Sequence, residues 1–340
     1  MKKILDAPLL GSRAMLNLTT LKSAREIIRN NIKLKPGETV LIITDSTKIP
    51  IADALSYPVI EVNDNFSKAK EEISMSIMVP RITGGLEPPK CVAHAMKLAD
   101  VILIPTKSSM TFTAATREAR NNARIGSMPN VTENMMIDGG LRGDFFDTMF
   151  LTNRVAEALE IGDEYHVTSS NGTDITFRRG KRRVFRDDGN LSEKGKLGNL
   201  PAGEACLAIV EDSTNGVLVI DRMGEIVTKG IRLTVKEGRI VKVGGEDRHV
   251  FEKSLESAKD REHLDVNIVA EFGVGTNAAA KYAECEVEAE KMYGTVHFGI
   301  GGNEPIGGTS KTSFHHDGLI LDARLEVDHR LILEGRKFFV

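Results

Sequence analysis

Imidazole and carboxylate side chains are concentrated in the last third of the chain, among several glycines. Between residues 271 and 317, the groups that could bind an ion or move a proton are Glu271, Glu290, His297, Glu304, His315, His316 and Asp317. Such side chains bind divalent cations, and glycines let strands and turns approach an ion closely. The region therefore predicts a metal-dependent enzyme, with a hydrolase as the first interpretation.

His315 and Asp317 form the sharpest of these patterns. If they lie on a strand, alternate residues share a face, so both side chains point into one site while His316 points away. One imidazole and one carboxylate at this spacing can bind the same ion. A polar surface turn is the alternative, and it is weakened by His297, which lies eighteen residues upstream in a glycine-rich segment.

Three glutamates are less specific when each is taken alone. Glu271 follows the apolar run 266–270, so it faces a cleft at a strand end or caps the helix that follows. Glu290 lies at the end of the helix predicted over residues 276–290, where an exposed position is the alternative. Glu204 follows a turn with proline and glycine, which by itself indicates a solvated carboxylate.

The bulk composition argues against several classes of function. A net charge of −3 gives no electrostatic reason to expect binding to nucleic acid or to an anionic membrane. The three cysteines are far apart and form no Cys-x-x-Cys pair, so a thiolate zinc site is not expected and a reducing compartment fits best. The sequence shows neither the pattern of a secretory leader nor that of a membrane span, and a cytoplasmic location is predicted.

The spacing of apolar residues changes along the chain. In the first half, short continuous apolar runs such as residues 40–44 and 101–104 alternate with helical patterns, which predicts a mainly parallel sheet. In the second half the apolar residues alternate, and hairpin signals such as residues 236–238 favour antiparallel strands. We therefore expect an α/β domain over residues 1–162 and an α+β domain with the metal site over residues 163–340.

Several common catalytic motifs are missing from the sequence. It has no Gly-x-Ser-x-Gly nucleophile elbow, no His-Glu-x-x-His zinc motif and no P-loop lysine motif. The glycine-rich segments 273–277 and 299–302 do not match a dinucleotide-binding fingerprint. The histidines and carboxylates of the last third remain the strongest functional signal.

Taken in order, the segments of the chain resemble the aminopeptidase T and aminopeptidase S family of metallo-aminopeptidases. Residues 35–45 are similar to the first strand of that family, and residues 99–106, 117–119 and 124–129 are similar to its middle segment. The resemblance spans most of the chain. It implies that family's fold and a hydrolytic centre with zinc, cobalt or manganese.

The ligand motifs of that family can be carried over one position at a time. Its Asn-x-Pro-x-x-Glu motif matches residues 199–204, and its acidic residue after an apolar strand matches Glu271. Its His-x-Ala-x-Gly motif is similar to residues 297–301, with glycine at the alanine position, and its His-x-Asp motif matches residues 315–317. The resemblance thus implies a pair of divalent ions held by Glu204, Glu271, His297, His315 and Asp317.

One position departs from the aminopeptidase pattern. That family has a tyrosine ligand shortly after its His-x-Ala-x-Gly motif, whereas this chain has Glu304 in a stretch without tyrosine. Either Glu304 takes over from the tyrosine, or one metal position is weakened or lost. A related branch, resembling 2,5-dihydroxypyridine dioxygenase, shares the fold with a single ferrous ion, and histidines with a carboxylate and open positions suit iron equally well.

The resemblance leads to one first function and two alternatives. The first is a homodimeric aminopeptidase that releases N-terminal residues from small peptides through a metal-activated water. Glu290 or Glu304 would act as its general base. The second is a mononuclear iron dioxygenase that cleaves an aromatic ring. The third is a non-catalytic relative that keeps the fold for binding or dimerisation.

Overall fold

The computed structural model describes residues 17–64, 73–282 and 285–340. Its backbone contacts divide the chain into two units. The first unit contains the residues up to Phe145 together with Gly189–Ala202, and the second contains Phe146–Asp188 and Gly203–Val340. The division predicted from the sequence, between residues 162 and 163, falls within the second unit.

Strands and helices alternate in the first part of the described chain, and strands dominate the rest. The strands are β1 (Val40–Asp45), β2 (Ile73–Met78), β3 (Val101–Thr106), β4 (Arg124–Pro129), β5 (Glu164–Ser169), β6 (Asp174–Arg178), β7 (Val184–Asp187), β8 (Leu197–Asn199), β9 (Glu204–Ala208), β10 (Asn215–Ile220), β11 (Ile231–Lys236), β12 (Arg239–Gly245), β13 (Val269–Gly275), β14 (Val296–Gly301), β15 (His315–Ile320), β16 (Ala323–Val327), β17 (Arg330–Glu334) and β18 (Lys337–Phe338). The helices are α1 (Leu18–Glu26), α2 (Ile49–Asp64), α3 (Lys90–Met96), α4 (Ala114–Ala119), α5 (Glu133–Asp138), α6 (Phe145–Glu160), α7 (Arg248–Glu262) and α8 (Glu286–Ala289). Short 3₁₀ or π-helical turns cover Ile27–Ile32, Gly140–Arg142 and Glu304–Ile306.

The first unit is built on a parallel sheet with the strand order β2-β1-β3-β4-β8. Every residue of β1, β3 and β4 is buried, which is typical of parallel strands covered on both faces. Thr113 and Thr132 cap α4 and α5, because their hydroxyl groups accept hydrogen bonds from backbone N–H groups of the first helical turn. The predicted parallel α/β architecture of this part of the chain is confirmed.

The second unit contains two antiparallel sheets. The larger sheet has the strand order β12-β11-β10-β6-β5-β16-β17-β18, and the smaller has the order β15-β14-β13-β9-β7. The antiparallel C-terminal part expected from the alternating apolar residues is therefore confirmed. None of the helices in the described part of the chain combines the length and the apolar character that crossing a membrane requires.

An aromatic cluster joins the two sheets of the second unit. Tyr165 and Phe177 come from the larger sheet, and Phe272 and Phe298 come from the smaller one. The ring centroids of Phe177 and Phe272 are 4.9 Å apart, and those of Phe272 and Phe298 are 5.2 Å apart. Inward-facing side chains of both sheets thus form one core, with the ring spacing that aromatic pairs favour.

The helix predicted over residues 276–290 is wrong for most of its length. Only Glu286–Ala289 is helical, residues 283–284 lie outside the described part, and the chain after Thr276 forms turns. The side chain of Asn277 accepts hydrogen bonds from the backbone N–H groups of Ala279 and Ala280. This local turn satisfies the backbone in place of a helix, a competition to which asparagine is well suited.

We expect Phe177→Ala to lower the free energy of unfolding by about 3–5 kcal/mol, since it leaves a cavity in the aromatic cluster. The measurement is urea denaturation followed by circular dichroism. Phe150→Ala is the matched control, because that ring is 67% exposed on α6 and its loss should cost within about 0.5 kcal/mol. Equal losses in the two variants would contradict the assignment of the core.

Candidate metal centre

One face of the smaller sheet of the second unit is polar, and strand register determines which residues share it. Glu271 on β13 lies opposite Gly299 on β14, which in turn lies opposite Asp317 on β15. Residues directly opposite each other in a sheet point to the same side, and so do alternate residues of one strand. The shared face therefore has Glu204, Cys206, Glu271, Gly273, Gly275, His297, Gly299, His315 and Asp317.

The opposite face of the same sheet is apolar. It has Ala205, Leu207, Phe272, Val274, Val296, Phe298, Ile300 and Ile320, all of which are buried in the core. A sheet with one apolar and one polar face is common when the strands are antiparallel. Here the polar face is also buried, so its charged groups must be satisfied by one another or by a ligand.

The structure brings the five predicted metal ligands together. The Nε2 atom of His315 lies 3.4 Å from Glu271 Oε2 and 3.3 Å from Asp317 Oδ1. Ligating atoms of Glu271, His297 and Asp317 all lie within 4.8 Å of one another. Glu204 joins the group through Oε1, which is 4.0 Å from His297 Nε2.

A backbone hydrogen bond fixes the orientation of His315. Its Nδ1 atom donates to the carbonyl oxygen of Gly302 at 2.8 Å, which turns the Nε2 atom towards Glu271 and Asp317. Such a bond to the outer nitrogen is how metal-binding histidines are usually held. His316 points to the other side, where its Nδ1 atom lies 3.3 Å from a carboxylate oxygen of Glu286. The alternation expected for residues 315–317 is therefore present.

Unsatisfied polar atoms in the cluster fit a bound cation. His297 is buried, and neither of its ring nitrogens has a hydrogen-bond partner among the residues that the structure describes. Within the same described part, Asp317 Oδ1 has no hydrogen bond either, and the Nε2 atom of His315 lies 3.3 Å from it. Leaving buried polar atoms unpaired is costly and rare. A metal ion bound by the imidazole and the carboxylate would satisfy both groups, so the residues fit such an ion.

Glycines on the polar face give the imidazoles room. A Cβ atom at Gly273 would lie 2.3 Å from the His297 ring, and one at Gly299 would lie 2.7 Å from the His315 ring. Both distances are shorter than carbon and nitrogen atoms can approach without a bond. The histidine side chains can therefore lie across the neighbouring strands only because those positions have no side chain.

Burial and neighbouring charges shift the pKa values of the cluster in opposite directions. Burial raises the pKa of Glu271 to about 8. The nearby His315 opposes this increase, and the carboxylate of Asp317 adds to it. Burial also favours neutral Asp317, but the facing His315 outweighs it and holds the pKa of Asp317 well below its usual value. The pKa of His315 is raised in turn, because Asp317 and Glu271 outweigh burial. These shifts favour a protonated His315 beside an ionised Asp317 when no metal is bound, and a cation held by both residues would have to displace that proton.

Lys291 and Cys206 are parts of the cluster that the sequence analysis missed. The Nζ atom of Lys291 contacts Glu204 Oε2 and lies 2.6 Å from Glu290 Oε1 and 3.5 Å from Asp187 Oδ2. Potential ligand atoms of Cys206, Glu204 and Glu271 lie within 4.8 Å of one another. Burial raises the pKa of the Cys206 thiol well above its usual value. Strand alternation from Glu204 would have predicted that Cys206 shares its face, whereas no local signal identifies Lys291.

The two residues proposed as the general base occupy different environments. Glu290 is buried at the end of α8 beside Lys291, and it interacts with Asp317. Burial raises its pKa well above the usual value, so it is placed to hold a proton. Glu304 is exposed in a 3₁₀ turn, and its side chain has no hydrogen bond or ion pair to the cluster among the described residues. The role of Glu304 at the metal stays a prediction, and Glu290 is the better placed of the two.

Comparisons with known proteins identify relatives of this chain. The family model described as 2,5-dihydroxypyridine 5,6-dioxygenase (NicX) matches residues 24–339. A protein of Pseudomonas putida strain KT2440 named 2,5-dihydroxypyridine 5,6-dioxygenase is 24% identical over 185 residues, which are 49% of this chain and 52% of that protein. The aligned region thus spans about half the length of that relative.

Two solved structures share the fold. The structure of 2,5-dihydroxypyridine dioxygenase from Pseudomonas putida KT2440 has a TM-score of 0.76 at 17% identity, and the match covers 94% of this chain and 97% of the other. Wild-type AmpT from Thermus thermophilus has a TM-score of 0.62 at 16% identity, with coverage of 95% and 99%. At this level of identity the likeness is one of fold.

We expect His315→Ala to lower the metal affinity of the protein by more than the roughly 10–100-fold typical for losing a supporting residue, because it removes a direct ligand. His316→Ala should keep the affinity of the parent, since its ring lies on the other face of β15. Titration of chelator-treated protein with Fe²⁺, Mn²⁺ or Zn²⁺ measures the difference. Equal losses in both variants would refute the assignment of His315.

Gly299→Ala should weaken metal binding by about tenfold or more, because the new methyl group displaces His315 or Glu271 and such overpacking costs about 1–3 kcal/mol. Gly244→Ala on β12 is the matched control, since a Cβ atom there would have no neighbour closer than 3.8 Å. Both variants are compared by metal titration and thermal unfolding. Unchanged affinity in Gly299→Ala would show that the cluster does not need the glycine.

Proposed function

This chain belongs to the 2,5-dihydroxypyridine 5,6-dioxygenase family, and from that premise we propose that it is an iron-dependent dioxygenase that opens a dihydroxylated aromatic ring. The observation that supports it most is the convergence of His297, His315 and Asp317 on one buried face. A pair of histidines with one carboxylate is the ligand set of many ferrous oxygenases. The comparisons therefore favour the alternative of the sequence analysis over its first interpretation, the aminopeptidase.

His297, His315 and Asp317 would hold the ferrous ion, with Glu271 beside them as a further carboxylate. When bound, ferrous iron supplies the one-electron chemistry that allows molecular oxygen to react with an aromatic substrate. The protein residues keep that reaction out of bulk water, because every one of these groups except His315 is buried. Their fixed positions on a sheet also reduce the reorganisation that binding requires.

The exposure of the cluster suggests from which side the substrate enters. The side chain of His315 is 33% exposed, whereas those of Glu271 and Asp317 are 11% and 12% exposed and that of His297 is 1% exposed. A planar aromatic ring would therefore approach past His315, with its hydroxyl groups towards the carboxylates. Glu290 contacts Asp317 and can hold a proton released by such a hydroxyl group.

The aminopeptidase remains the second candidate because of one geometric observation. Two overlapping groups of ligands share Glu271: one contains Glu204 and Cys206, and the other contains His297 and Asp317. A carboxylate that belongs to both groups could bridge a pair of metal ions held close together. In that case zinc, cobalt or manganese would activate a water molecule that attacks a small peptide.

The two candidates differ in metal, co-substrate and product, so one experiment separates them. Protein reconstituted anaerobically with Fe²⁺ should consume O₂ when given 2,5-dihydroxypyridine or a related dihydroxylated ring, with loss of the aromatic absorbance. His315→Ala should abolish this oxygen uptake, and His316→Ala should retain it. Protein loaded with Zn²⁺, Mn²⁺ or Co²⁺ should not hydrolyse leucine p-nitroanilide or short peptides. Peptide hydrolysis without oxygen uptake would reverse the proposal.

A further inference from the structure

A buried lysine lies directly beside the candidate metal ligands. Lys291 follows α8, and its side chain is only 1% exposed. Its Nζ atom contacts carboxylates that come from separate parts of the second unit: Asp187 at the end of β7, Glu204 at the start of β9 and Glu290 at the end of α8. An ammonium group is rarely buried unless it is paired in this way.

The backbone around Lys291 is positioned by a glycine on the polar face. Gly275 lies directly opposite Glu204 in the sheet. A Cβ atom at Gly275 would lie 2.1 Å from the carbonyl oxygen of Met292 and 2.8 Å from the carbonyl carbon of Lys291. The chain segment that contains Lys291 therefore passes close over β13 only because residue 275 is glycine. The register of the sheet thus brings the lysine to Glu204.

Glu204 is shared between the lysine and the histidine side of the cluster. Its Oε2 atom contacts Lys291, while its Oε1 atom lies 4.0 Å from His297 Nε2. Glu204 is also the residue that, with Cys206 and Glu271, forms the second group of ligands. A second metal ion at that group would have to share the same carboxylate with a fixed positive charge a few ångströms away, which is repulsive in a buried site.

We propose that the ammonium group of Lys291 takes the charge-balancing place of a second metal ion, and that its contact with Glu204 is what limits the centre to the single ion expected for the proposed function. The inference rests on the proposed function of this site and deepens it. Lys291 is a positioning residue, because it holds Glu204 and Glu290 and does not touch the substrate side. The lysine cannot be displaced by a metal without leaving its own charge buried or moving it to solvent.

The test is the number of metal ions per chain, measured by elemental analysis after equilibration with excess Fe²⁺ or Mn²⁺ and removal of unbound metal. The parent protein should retain a single ion. Lys291→Met should bind a second ion, because Glu204 and Glu290, which are buried, and Asp187, which is partly buried, then lack their cation. Lys291→Arg should stay at a single ion, since it keeps the charge. Lys242→Met on exposed β12 is the matched control and should behave as the parent.

The metal content of the parent protein separates the role of Lys291 from the proposed function. A parent protein with two tightly bound ions overturns the role of Lys291, while a parent that binds no metal overturns the proposed function itself. If Lys291→Met is unstable, excess Mn²⁺ should restore its melting temperature, and Lys291→Met/Glu290→Gln provides a variant with less unpaired charge. Failure of both variants to take up a second ion, when folded as judged by circular dichroism, refutes the inference.

Discussion

The close approach of imidazole rings to a glycine-lined sheet is the constraint on which the candidate centre depends. His297 lies across Gly273, and His315 lies across Gly299. These contacts require each glycine to lie next to the strand that carries the histidine. The register of the strands, and not the conformation of a loop, therefore sets the positions of the ligands. A site built on strands in this way is held more rigidly than one built on connections.

The same sheet must also satisfy an electrostatic constraint. The buried polar face and its surroundings have more carboxylates than cations, and the pKa values of Glu271 and Glu290 are raised first by burial and further by the neighbouring carboxylates. Lys291 balances part of this charge, and the His315 imidazole balances another part. The aromatic core behind the sheet provides the apolar contacts that hold the strands together against this repulsion.

The sequence alone predicted those features that depend on short-range periodicity. The pairing of His315 with Asp317 follows from strand alternation, and the parallel sheet follows from continuous apolar runs. Features that depend on which strands become neighbours could not be predicted from such local patterns. Lys291 contacts Glu204, which is far from it in the sequence. No pattern in the residues around Lys291 predicts a buried cation. The helix expected over residues 276–290 does not form over most of that range, because the side chain of Asn277 accepts hydrogen bonds from the backbone N–H groups that follow it.

The two unlike faces of β15 have a consequence for how the protein reaches its active form. A slip of one residue in this strand would exchange the face of Asp317 with that of Gly318, which packs so closely on Ile220 that a Cβ atom there would lie 2.5 Å from that side chain. A carboxylate forced into that contact would be buried against hydrocarbon, at a cost of several kcal/mol. A misaligned β15 is therefore disfavoured by steric fit alone, whether or not a metal is bound. Steric fit on the apolar face of the sheet thus determines which side chains of β15 reach the polar face.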